Sequence, residues 1–147
     1  RNIEWPVVVM LAAMIPVGQA LETSGISLNI ANFISATTDG LALPWLILMI
    51  LVITMFVSDI VNNAATAVIM APIAANLALQ VGQPVEPFLM AVAVGASCAF
   101  LSPIGHQCNT LVMAPGNYKF GDYWRLGLPL ECVIVAISIP MILFVWT

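Results

Sequence analysis

Charge is what this chain has least of. Three Lys/Arg, seven Asp/Glu and one histidine occur among 147 residues. A soluble domain carries about 25% charged residues, and the 7% found here cannot clothe a water-exposed surface. A soluble globular enzyme and a disordered tail are thereby excluded. Three basic side chains also cannot neutralise a phosphate backbone, which excludes a nucleic-acid binder. Cysteine is scarce too. Cys98, Cys108 and Cys132 are an odd set at no metal-ligand spacing, so they read as packing residues or free thiols rather than a disulfide framework. No His-Glu-x-x-His or Gly-x-Ser-x-Gly pattern occurs, and no ATP-binding loop. The chain reads as no enzyme, and any work it does must be coupled to an ion gradient.

What is present is apolar. Hydrophobic residues make up 62% of the chain and mean hydropathy is +1.08. That composition implies an all-α integral membrane protein, with room for four or five passes of about 20 residues. The sequence opens on Arg1 and runs into an apolar segment with no charged leader and cleavage site. It is expected to be a piece of a longer protein and not to begin with a signal peptide.

The pattern divides into four parts. Residues 5–36 read as a span plus an interfacial helix. Trp5 to Leu21 is uncharged and stops at Glu22-Thr23-Ser24-Gly25, and Ile26, Ile30, Phe33 and Ile34 then recur at amphipathic spacing. Residues 43–79 hold two apolar blocks separated by Ser58-Asp59-Ile60-Val61-Asn62-Asn63. Each block is short for a crossing, which predicts a re-entrant helical hairpin. Residues 87–114 are interrupted by Ser102-Pro103-Ile104-Gly105-His106-Gln107-Cys108-Asn109, which predicts a broken transmembrane helix. A polar loop from Pro115 to Arg125 precedes a last span at 126–147, with Glu131, like Arg125, expected at headgroup level. With the hairpin re-entrant, Arg1, Lys119 and Arg125 fall on one face, as the positive-inside rule asks.

The two interruptions carry the chemistry. Freed backbone groups in hydrocarbon are costly unless they face protein, water or an ion. A half-helix that restarts after Asn62-Asn63 offers amides and a positive dipole end to an anion. The half-helix ending before Ser58 offers carbonyls to a sodium ion, and Ser58 and Asn63 add hard oxygen ligands. Two such breaks at mid-depth are the mark of a secondary-transporter site. Asp59, an intramembrane carboxylate, is a candidate proton or cation site. His106 is a candidate for substrate or proton contact.

Ser58-Asp59-Ile60-Val61-Asn62-Asn63-Ala64-Ala65-Thr66-Ala67 resembles the hairpin-tip signature of the divalent anion–sodium symporters of the solute carrier 13 type. The run from Ser102 to Asn109 resembles their second broken-helix loop, and Ala114-Pro115-Gly116-Asn117-Tyr118-Lys119-Phe120-Gly121-Asp122-Tyr123 the stretch that follows it. The resemblance covers nearly the whole chain, as the C-terminal part of the second of two inverted repeats.

It implies an elevator-type symporter, half of an inverted-repeat fold, dimeric, with the N-terminal repeat of the same protein as a missing partner. It places substrate contacts at Asn62, Asn63, Ala64, Thr66 and His106, and sodium, the coupling ion, at Ser58, Val61, Asn63, Gly105 and Asn109. Asn62 stands where the family has serine, Ala64 where it has threonine, and His106 where dicarboxylate members have threonine. Those exchanges suit sulfate as well as a dicarboxylate. No organic cofactor is expected, and the location implied is a bacterial inner membrane. A sodium/proton antiporter of the same superfamily, working through Asp59 and His106, is the alternative.

Overall fold

The computed structural model describes residues 5–38 and 40–146; Arg1 of the charge argument, Asp39 of the first loop and Thr147 lie outside them. Among the described residues the chain is helical, with α1 at Trp5–Thr23, α2 at Ile26–Thr37, α3 at Leu43–Ile60, α4 at Asn63–Gln80, α5 at Glu86–Ala96, α6 at Gln107–Met113 and α7 at Phe120–Trp146. Helices α3, α4 and α7 are long and apolar enough to cross a membrane.

Local chemistry sets the ends. Gly25, with φ 71°, turns the chain between α1 and α2 in the left-handed region that glycine tolerates. Pro44 opens α3, where its missing N–H costs nothing. The α3 helix runs on through Ser58 and Asp59 and stops at Val61. Asn62 is extended and its side-chain oxygen accepts the Ala65 N–H at 2.9 Å, which starts α4. The arms are thus longer than the apolar blocks, because the polar residues are absorbed into the last turn of one helix and the first of the next.

Helices α3 and α4 double back. Leu43 and Leu46 at the start of α3 line one polar cavity of about 320 Å³ together with Gln80 and Val81 from the end of α4. Helix α5 lies along both arms. Leu46, Ile47, Ile50, Leu51, Met70, Ile73, Leu77, Phe88, Ala91 and Val92 form the core between them. The closest approach is at Gly95. A side-chain carbon there would lie 2.9 Å from the Leu51 carbonyl oxygen and 2.8 Å from Thr54 Cβ.

Helix α2 packs on α4. Ser27 and Ala31 are buried and Ile34 packs against the core, whereas Ile26, Ile30 and Phe33 of the amphipathic pattern face outward. Close contact between helices in apolar surroundings favours small side chains such as Ser27 and Ala31. The last helix begins at Phe120, inside the stretch read as a polar loop. Asp122 accepts the Lys119 N–H at 2.8 Å and so caps the first turn. The polarity there marks a helix start and not a loop.

Candidate functional site

The α3–α4 connection and the opening between α5 and α6 face each other. Helix α5 ends at Ala96, residues 97–106 are not helical, and α6 restarts at Gln107. Ser58 is fully buried, and its hydroxyl lies 2.8 Å from the Ala96 carbonyl oxygen and 3.0 Å from Asn63 Oδ1. A hydroxyl has one hydrogen to give. Three oxygens therefore converge on one shared hydrogen. Converging neutral oxygens are the donor set a hard monovalent cation takes.

The second opening is drawn against the first. A side-chain carbon at Gly105 would meet the Ser58 carbonyl oxygen at 2.9 Å and Ala99 Cβ at 2.7 Å, so only glycine brings the two backbones this close. Asn109 donates through Nδ2 to the Ala99 and Ser102 carbonyls at 2.8 and 3.1 Å, and Thr110 donates to the Pro103 carbonyl at 2.6 Å. These bonds fold the uncoiled segment into a compact loop. His106 is exposed and caps α6, its Nδ1 accepting the Cys108 N–H at 3.2 Å.

The residues singled out in the sequence divide as follows. Ser58 and Asn63 are in contact and Gly105 lies against the Ser58 carbonyl, while the Asn109 amide is spent on the Ala99 and Ser102 carbonyls of its own loop. Val61 ends α3 with its N–H on the Val57 carbonyl and its side chain outward. Asn62 caps α4, which leaves the Asn63 and Ala64 amides at the helix start as first-turn donors. Thr66 is different. It is fully buried and its hydroxyl has no partner, so its side chain does not reach the accessible face of the turn.

Other groups take parts that the sequence did not assign to them. The Ala96 carbonyl completes the oxygen cluster, and no side-chain pattern marks a backbone ligand. Ser102 donates to the Asp59 carbonyl at 2.7 Å and accepts the Ile104 and Gly105 N–H groups at 3.2 Å each. Tyr123 on α7 donates to the Asn109 carbonyl at 2.7 Å. Glu131 does not sit with the surface charges. Its Oε1 is buried without a hydrogen-bond partner. Because α7 begins at Phe120, Glu131 lies about three turns inside the helix and not at its start.

The chain matches the citrate transporter family over residues 1–95 and again over 44–147. It is 39% identical over 140 residues to an uncharacterized transporter of Synechocystis, covering 95% of this chain and 23% of that protein. It is 33% identical over 143 residues to a probable sodium/sulfate cotransporter of Chlamydomonas reinhardtii, covering 94% of this chain and 16% of the relative. A sodium-dependent high-affinity dicarboxylate transporter of Caenorhabditis elegans is 30% identical over 135 residues, covering 90% of this chain and 24% of the relative. The chain thus spans about a quarter or less of the length of these relatives.

Proposed function

The chain belongs to the citrate transporter family, and from that premise we propose that it forms part of a secondary transporter that carries a small anion inward together with sodium. The observation that carries this reading is the oxygen cluster of Ser58, Asn63 and the Ala96 carbonyl, which joins the two interruptions of the helices. Sodium is held there, with the Val61 carbonyl, the Gly105 backbone and Asn109 completing its surroundings. The anion sits beside it on the Asn63 and Ala64 amides at the start of α4, where the helix dipole is positive. Asn62 lines that position as well as capping the helix, and His106, exposed at the start of α6, contacts the anion from the other side.

The substrate class is sulfate or a dicarboxylate. Relatives named for sodium/sulfate and for sodium-dependent dicarboxylate transport support both the anion and the coupling ion. A lone anion in an apolar site is costly, and a sodium ion a few ångströms away offsets its charge. That is the physical basis of coupling: neither ion binds well alone.

In this reading α3 and α4 form a re-entrant hairpin, and the hairpin moves with the broken helix as an elevator. The N-terminal repeat of the same protein supplies a second hairpin, the protein is a homodimer, and it resides in a bacterial inner membrane. The test uses the full-length protein in liposomes with radiolabelled sulfate, succinate and citrate, with and without sodium. Uptake of one of these is expected only with sodium. Asn63→Ala should reduce it at least about tenfold, the loss of an interaction with a charged group, while the protein stays folded. Full uptake by Asn63→Ala would refute the site.

A further inference from the structure

One carboxylate stands behind the oxygen cluster without belonging to it. Asp59 follows Ser58 on α3 and is only 6% exposed. Its Oδ1 accepts the Leu101 N–H at 3.0 Å, and its backbone carbonyl accepts the Ser102 hydroxyl at 2.7 Å. Consecutive residues of one uncoiled segment are thus held by one residue of α3. That segment has no helical ladder of its own, and a buried N–H without a partner is costly. A carboxylate is also a stronger acceptor than a neutral oxygen. Ala96 lies just before these two residues, and Gly105 and Asn109 lie just after.

We propose that Asp59 is a positioning residue of the ion site. It grips the Leu101 amide and the Ser102 hydroxyl and so keeps Ala96, Gly105 and Asn109 in register with Ser58 and Asn63. The transport consequence rests on the sodium-symport reading above, and the structural part does not. What the Asp59 side chain supplies is an acceptor oxygen aimed at Leu101. Asp59→Asn keeps that oxygen and Asp59→Ala removes it.

The experiment uses the full-length transporter and two measurements. In the first, spin labels are placed at Ile60→Cys and Ile104→Cys, both exposed and one on each of the two interruptions, with Cys108 and Cys132 replaced by serine. The distance distribution between labels should be narrow in the parent and Asp59→Asn, and broad in Asp59→Ala. This measurement needs neither sodium nor anion. In the second, half-saturating sodium for uptake should rise about tenfold in Asp59→Ala and stay within about twofold in Asp59→Asn. The maximal rate should stay within about twofold in both, which a general loss of folded protein would not reproduce.

A narrow distribution in Asp59→Ala overturns the proposal. So does Asp59→Asn behaving like Asp59→Ala, because the charge itself would then be the requirement and Asp59 an ion ligand. Absence of sodium-dependent uptake in the parent defeats the symport reading, while the label distances still decide the clamp. If Asp59→Ala does not fold, Ser102→Ala, which removes the bond to the Asp59 carbonyl, is measured in the same two ways with the same expected broadening.

Discussion

Two neighbouring asparagines do separable work. Asn62 spends its side chain on the Ala65 amide, so Asn62→Ala should lower stability by about 1 kcal/mol, read as a fall in the thermal midpoint of the purified transporter. Asn63 makes no such bond, so its loss should be felt in uptake and much less in melting. Gly105 is tied to the same place by contact. Gly105→Ala puts a methyl where the Ser58 carbonyl and Ala99 already are, and half-saturating sodium should rise several-fold in an activation curve while Gly121→Ala, in open space, changes nothing. At this scale the sequence showed which polar residues interrupt the apolar runs. It did not separate cap from ligand, because Asn62 and Asn63 have the same side chain and differ only in the backbone angles that precede each. Nor could it reveal the Ala96 carbonyl or turn Glu131 inward, since both depend on where another helix lies.

Between elements, the tightest joint is α3 against α5. Gly95→Ala should force the helices apart at Leu51 and Thr54 and cost about 1–3 kcal/mol, measurable as a lower thermal midpoint that Thr54→Ser does not restore, because the Leu51 oxygen is backbone. Most of the helices were legible from apolar runs and from the polar stop that ends on Gly25. Their limits were less so. Helix α7 reaches back to Phe120 because Asp122 caps it, and hydropathy alone reads a capped polar turn as loop. Helix α2 was legible as amphipathic, yet of its predicted face Ile34 packs against the core while Ile26, Ile30 and Phe33 do not, and Ser27 and Ala31 are buried beside it. Amphipathic spacing identifies a helix, and small side chains help decide which face packs closely.

For the molecule as a whole, the outer surface is the informative part. Phe144 is 90% exposed and Leu111 73%, and apolar side chains run along the outside of α7. Such a surface needs lipid or further protein against it. With one interrupted helix pair in place of the two the symport reading requires, the 147-residue chain reconstituted alone should give no sodium-dependent anion uptake in liposomes, whereas the full-length protein should. Uptake by the chain alone would show that one set of interruptions suffices.

The polar cavity where α3 begins and α4 ends has a geometric consequence. Each arm has 18 residues and is therefore about 27 Å long, close to the roughly 30 Å thickness of the hydrocarbon layer. If that water-friendly base rests at one boundary and the turn at Val61–Asn62 stops halfway, the arms must lean about 55° from the membrane normal. An oblique lever of this length changes the depth of its far end by about 4 Å for every 10° of swing. Modest rocking about the base would then be enough to bare or bury whatever ions the turn holds.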